Sequence, residues 1–336
     1  MKNYKYSKTI TALAGIILLS SASYAAETAA APAAAQPATA ATQTAKTEVK
    51  AETKAAEPAA KPAKAAPLPL FTIEGTGGVL ITPIAYLVNP GPEGTEIGLP
   101  SFGITYVNMR QKNLESFQVS ETLYRRLELS FAASRFDVGS LQEKAPVIGR
   151  GDVWLYNFNA RFLALEENSF GTTWLPAITL GVSGKYNEGI NEINDNTAGL
   201  LDGIGYNDNY GVDFIVTGSK LFLIYGHPLI LSATGRASEA EQIGYLGFSN
   251  SYEFTAEANV VFGITDWFLL AFEFRQKADQ FSTVPGLIGE GDDWFTVGAA
   301  FILDPHTVLT VGYGHFGTLL DTEENAAWAV ALKYEF

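Results

Sequence analysis

From about residue 100 to the last residue, apolar and polar side chains alternate one by one. A two-residue period marks β-strands with two unlike faces, and it leaves no room for a fold built on helices. The last stretch shows it most clearly. Trp328, Val330, Leu332, Tyr334 and Phe336 share one face, and Ala327, Ala329, Ala331, Lys333 and Glu335 share the other. Tyr252, Phe254, Ala256, Ala258, Val260 and Phe262 likewise oppose Glu253, Thr255, Glu257 and Asn259. Trp154, Tyr156, Phe158, Ala160 and Phe162 oppose Asn157, Asn159 and Arg161, while Ile178, Leu180, Val182 and Tyr186 oppose Thr179, Ser183 and Lys185.

Such rows suit a soluble antiparallel sheet with one wet face, or a transmembrane barrel with one face in lipid and one in a polar lumen. Three features favour the barrel. The alternating stretches are long, where ordinary strands average about 5–6 residues and a tilted membrane strand needs about 9–11. All five Trp (Trp154, Trp174, Trp267, Trp294, Trp328) fall near strand ends, where an interfacial girdle would place them. Connections alternate between short and long. The pattern predicts an all-β, transmembrane antiparallel β-barrel of about twelve strands, within a range of ten to fourteen. They lie near 100–109, 114–124, 127–138, 151–163, 174–187, 210–222, 228–238, 250–263, 267–277, 291–303, 306–315 and 325–336. Short turns near 124–127, 263–267 and 304–305 fall at one end, and the longer loops 139–150, 188–209, 239–249, 278–290 and 316–324 at the other. Short periplasmic turns and long outer loops are the habit of such barrels.

The N-terminus reads as an address. Lys2, Lys5 and Lys8 precede an apolar stretch over 9–19, and Ser23-Tyr24-Ala25 supplies small residues for cleavage after Ala25 or Ala26. This predicts a secretory signal peptide over 1–25, too short in its apolar part for the roughly 20 residues of a spanning helix. Residues 26–68 are built almost wholly from Ala, Pro, Thr, Lys, Glu and Gln without an aromatic residue. They cannot bury enough apolar area to offset chain entropy, so a disordered periplasmic linker is expected. The formal charge of the chain is −14, and three leader lysines with a one-charge excess in the linker leave −18 for residues 69–336. That acidity argues against a nucleic-acid partner. The absence of Cys excludes a disulfide scaffold, a thiolate metal site, a catalytic thiol and a lipoprotein anchor.

The last strand resembles the assembly signal of Gram-negative outer-membrane barrels, with Leu332, Tyr334 and a terminal Phe336 in alternate positions. The resemblance implies handling by the barrel-assembly machinery and residence in the outer membrane after export, against lipid and lipopolysaccharide. More of the chain is similar to a proteobacterial family of uncharacterised outer-membrane proteins. Glu74-Gly75-Thr76-Gly77-Gly78 with Thr82-Pro83, the run Arg126-Leu127-Glu128-Leu129-Ser130-Phe131, and Arg135-Phe136-Asp137 carry that likeness. The Ala/Pro linker is not part of its pattern, and the family brings no activity with it.

Residues 69–99 do not alternate cleanly. Gly75, Gly77 and Gly78 allow turns closed to other residues, and Pro83, Pro90 and Pro92 keep the segment out of a central strand. The apolar run 79–88 still needs burial. Three readings stand: an irregular first strand with an outer loop, a plug folded into the lumen, or an inner helical element or edge strand.

The polar rows carry the chemistry. Arg161, Lys185 and Arg236 would line the lumen with Glu253, Glu257, Glu273, Arg275 and Lys277. A turn at 263–267 with Phe262 opposite Phe268 would set Glu257 against Glu273, Thr255 against Arg275, and Glu253 against Lys277. Such a wall is a structural charge network, a constriction selecting ions or solutes, or a cation site at Glu257 and Glu273. The loop 188–209 is rich in Asp and Asn but lacks a recognised Ca²⁺-ligand spacing, so no metal and no cofactor are expected. His315, near Asp321 in sequence, stands beside no evident nucleophile, so the chain is expected not to be an enzyme. The function expected is passive passage of a small solute, with a closed-lumen structural or interaction barrel as the alternative and an outer-membrane hydrolase a more distant one.

Overall fold

The computed structural model describes residues 68–336. The signal peptide and nearly all of the linker lie outside the described residues. Twelve antiparallel strands close into one barrel. They are β1 (Ser101–Asn108), β2 (Asn113–Leu123), β3 (Leu127–Asp137), β4 (Asp152–Leu165), β5 (Ala177–Glu188) and β6 (Tyr210–Ile224). The second half comprises β7 (His227–Ala240), β8 (Phe248–Thr265), β9 (Phe268–Arg275), β10 (Trp294–Ile302), β11 (Thr307–His315) and β12 (Ala327–Glu335). Each strand pairs with its sequence neighbour, and β12 closes on β1 with Leu332 opposite Ile104 and Trp328 opposite Asn108. Closure leaves no unpaired edge, the condition for crossing lipid with strands.

The alternation sorts by face. Outward side chains are apolar and uncovered by protein: Phe117 is 56% exposed, Phe254 80% and Val297 53%. Leu332, Tyr334 and Phe336 belong to this outer row, with the Phe336 ring edge-on to Tyr334 at 4.9 Å. Inward side chains are largely polar and buried, among them Gln118, Asn157, Thr179 and Thr217. A soluble barrel would carry the opposite arrangement, with its apolar row inside.

Two expectations need correction. Phe262 pairs with Leu270, not Phe268, because a β-bulge between Gly263 and Thr265 moves the turn to Asp266–Trp267. The register shifts by two residues, so every side chain keeps its face but changes partner. Glu257 therefore opposes Arg275, Asn259 opposes Glu273, and Thr255 opposes Arg236. Glu253 opposes Ser238 and accepts the Asp279 amide at 2.8 Å, while Lys277 lies beyond β9 with its ammonium 3.3 Å from Glu241. Trp294 also departs from the girdle. It sits on the inward row of β10, buried at 6%, edge-on to Phe316 at 5.1 Å and beneath the Arg275 guanidinium.

The turns at 124–126, 225–226, 266–267 and 303–306 lie at the end that carries the C-terminus. As the strand bounds implied, the connection 166–176 is long for that end and 109–112 is short for the other. The long loops fold over the outer mouth as a lid whose apolar core, including Leu141, Ile193, Leu246, Phe281 and Leu320, runs on into the plug at Ile73, Leu80 and Ile81. Lys112 and Asp321 pin that lid with a fully buried ion pair of 2.8 Å, and Lys144 reaches the second Asp321 oxygen at 2.6 Å. Burial raises the Asp321 pKa, but the hydrogen bonds from Lys112 and Lys144 outweigh it and hold the carboxyl below its usual range.

Candidate functional site

Residues 69–99 contribute no strand to the barrel. Instead the stretch 70–88 folds into the lumen, where Leu70, Phe71, Ile73, Val79, Leu80, Ile81, Ile84, Leu87 and Val88 are each at most 7% exposed. Its only strand pairing is internal, Leu70 with Gly78 and Phe71 with Gly77. The glycines make this hairpin possible. Gly75 has φ +89°, and a Cβ there would stand 2.8 Å from Ala132 Cβ on the wall. A Cβ on Gly78 would stand 2.2 Å from the Thr82 carbonyl oxygen. Pro83 lies beside Gly78 in an isolated bridge, and its carbonyl accepts Asn259 Nδ2 at 3.0 Å.

Side chains from the wall hold the plug by its main chain. Glu273 on β9 is the densest anchor. Its carboxylate accepts the amides of Leu80 (3.1 Å), Ile81 (2.9 Å) and Thr82 (2.8 Å), the Thr82 hydroxyl, and the Thr296 hydroxyl. Among the described residues no Lys or Arg forms an ion pair with it. The second anchor is an ion pair between neighbouring strands. Arg161 on β4 grips Glu128 on β3 with two bonds of 3.0 and 2.6 Å. Arg161 also donates to the carbonyls of Gly77 (3.0 Å), Ile84 (2.7 Å) and Tyr86 (3.2 Å). Glu128 accepts the amides of Gly77 (3.1 Å) and Val88 (2.9 Å). Thus one fork satisfies both polarities of the plug backbone, which water would otherwise have to do.

At the centre lies a cluster of six charges. Glu74 on the plug receives Lys185 at 2.5 Å, Arg275 at 2.5 Å and Arg236 at 3.3 Å. Asp213 on β6 receives Lys185 and Arg236, each at 2.7 Å. Glu257 receives Arg236 at 2.6 Å and Arg275 at 3.5 Å. Three carboxylates thereby face three cations, and the cluster is formally neutral. All six side chains are at most 6% exposed. Burying six charges is tolerable only because each meets opposite partners at contact distance.

Sequence reasoning placed Arg161, Lys185, Arg236, Glu257, Glu273 and Arg275 on the inner wall, where all but Glu257 bond directly to the plug and Glu257 meets it through Arg236 and Arg275. Glu253 and Lys277 stand apart, near the outer end. Glu74, Glu128 and Asp213 were missed as charge partners. Glu74 and Glu128 lie inside two of the short motifs that carried the family likeness, and Asp213 shares the inward row of β6 with Thr217 and Ser219. His315 packs near Phe295 on the outer side, and Asp321 is occupied by its two lysines, so the structure brings no His–Asp pair together there. Among the described residues no group of three His, Asp or Glu is arranged to hold a metal ion.

A closed twelve-stranded wall, apolar outside and polar inside, with its lumen filled from the N-terminal side of β1, defines a porin-like outer-membrane β-barrel. The pattern of the family described as "Protein of unknown function (DUF3034)" matches residues 69–333, and the chain belongs to that family. The match begins where the Ala/Pro linker ends. No curated protein matches the chain. Among solved structures, the KdgM porin is 12% identical, covering 70% of this chain and 99% of that one with a TM-score of 0.45. The COG4313 outer membrane channel from Pseudomonas putida F1 is 12% identical, covering 73% and 99% with a TM-score of 0.41. LpxR from Salmonella typhimurium is 12% identical, covering 70% and 100% with a TM-score of 0.45. Likenesses this loose carry no argument about activity.

Proposed function

We propose that the chain is a passive outer-membrane channel for a small solute, closed at rest by residues 70–88 and opened when that segment shifts. One observation carries the reading. The plug is held to the wall by side chains and by no strand pairing, so it can move without breaking the barrel's own ladder. In this reading the wall side chains act as a latch. The protein reaches the outer membrane by signal-peptide export, meets the assembly machinery through its C-terminal strand, and contacts lipid and lipopolysaccharide. It carries out no bond chemistry.

The neutral six-charge cluster favours a second reading, a permanently closed structural or interaction barrel anchored through its linker. Buried networks of this kind resist single displacements, since exposing one partner leaves another uncompensated. Planar-bilayer recording separates the two. Full-length protein should show rare, brief openings, and deletion of 70–88 should give sustained current. A deletion variant that keeps its boiling-dependent gel mobility yet stays silent would sink the channel and leave the structural barrel.

A further inference from the structure

A set of adjoining cavities runs from the outer lid to the periplasmic end of the plug. The outermost is a cleft of about 330 Å³ between two short helices of the outer loops, Gly139–Lys144 and Ile190–Asn196, lined by Leu141, Ile148, Ile193, Leu201 and Ile288 among others. Its wall holds no charged residue. The polar groups of Asn196 and Thr197 are already engaged, Asn196 Nδ2 with the Ile148 carbonyl at 3.0 Å and the Thr197 hydroxyl with the Ile193 carbonyl at 2.8 Å. Tyr245 forms part of the cleft floor and also lines the next space, a cavity of about 30 Å³ in the upper lumen. Its hydroxyl is tethered to Ser134 at 2.7 Å.

Leu80 and Thr105 line both that cavity and a smaller one of about 10 Å³. Leu70, Val79 and Thr310 in turn join the small one to a cavity of about 100 Å³ near Leu68 and Pro69. Leu80 is seated against glycine, 3.6 Å from the Cβ position of Gly298 on β10 and 2.4 Å from that of Gly312 on β11. The wall behind the last cavity consists of Val261, Leu269, Ala271 and Ala300, apolar residues on an inner row that is elsewhere polar.

A cleft of about 330 Å³ lined almost wholly by apolar side chains and by no charged one selects against ions and sugars and favours a molecule with no polar groups to desolvate. We propose that the outer cleft is a binding site for a small uncharged apolar molecule, and that its path to the periplasm passes Tyr245 and Leu80 along the face of the plug turned to β10–β12 and β1–β3, and lower down to β7–β11. The binding site stands alone, whereas the path rests on the channel reading above. The charge cluster and the Glu128–Arg161 pair latch the remainder of the plug away from this path. Movement of the 79–82 turn, which carries Leu80 and is held by Glu273, would join the cavities.

The test is photolabelling of the folded full chain in lipid nanodiscs with 3-trifluoromethyl-3-phenyldiazirine, read by peptide mass spectrometry. Lipid-facing rows such as Phe254 and Val297 will take label from the bilayer and serve as an internal reference. The proposal expects additional label at Ile148, Ile193 or Leu201. Ala145→Phe, which fills the cleft, should cut that label about tenfold, the scale on which apolar pockets discriminate single groups, while the reference rows stay unchanged. Ile193→Asn is the second variant and should act the same way. Both are judged only in protein that keeps its boiling-dependent mobility. Label confined to lipid-facing rows, in a chain whose plug-deleted form conducts, would overturn the apolar site and spare the channel. Cleft label in a chain whose plug-deleted form is silent would overturn the path. Opening the latch with Glu273→Ala should spread label to Val79 and Val261; label that stops at the cleft in that conducting variant would also overturn the path.

Discussion

Glu273→Ala should convert the barrel from mostly closed to frequently open. The carboxylate accepts three successive plug amides, from Leu80, Ile81 and Thr82, at 2.8 to 3.1 Å. Net hydrogen bonds to a charged group contribute about 1.5–3 kcal/mol each, so three come to about 4.5–9 kcal/mol. These are net values that already include desolvation, and losing even about 3 kcal/mol of them changes the open-to-closed ratio about 100-fold. Single-channel recording of purified full-length protein measures that ratio directly. Glu273→Gln retains one acceptor oxygen and should fall between wild type and Ala. An unchanged open probability for Glu273→Ala, in protein with normal boiling-dependent mobility, would refute the latch.

The Arg161–Glu128 pair should behave as a unit. Arg161→Met alone leaves a buried carboxylate uncompensated and should cost about 3–5 kcal/mol, whereas Arg161→Met with Glu128→Leu should cost less than the sum of the two single changes, checked by urea unfolding in a double-mutant cycle. Glu74→Gln takes the six-charge cluster from neutral to one excess positive charge; its apparent unfolding temperature should drop and any residual current should become less cation-selective, read from reversal potentials. The outer lid should loosen in acid. The folded Asp321 pKa lies below its unfolded value, so its contribution is complete above roughly pH 4, the ordinary Asp range, and is lost as pH falls through the lowered folded value. Protease cleavage within 316–326 should therefore rise at about pH 3 and stay low at pH 7, and Lys112→Met should raise it at pH 7.

The strands were legible because a period of two survives any tertiary context that keeps one face in lipid. Each of the twelve lies within about three residues of its expected place, and parity alone put Arg161, Lys185 and Arg236 inside. Register was less legible. It depended on where a turn of Gly, Thr and Asp would tighten, and the bulge before Thr265 moved it by two residues. Trp294 follows parity rather than residue type, sharing the inward row with Thr296 and Gly298. The plug contacts were least legible. Glu74 meets Arg275, 201 residues away, through closure of the whole barrel, and no local pattern reports such a meeting. What the sequence did carry was a conflict: an apolar run from 79 to 88 interrupted by proline, which could neither span as a strand nor stay in water.

The central claim is that displacement of residues 70–88 opens the barrel. A reversible cross-link tests it in a chain that has no natural Cys. The Ala85 amide lies 2.8 Å from Ser219 Oγ on β6, so Ala85→Cys with Ser219→Cys places two thiols across the plug–wall contact. In a Glu273→Ala background the oxidised protein should be silent, and reduction should restore frequent openings in the same membrane. Equal current before and after reduction would contradict the account.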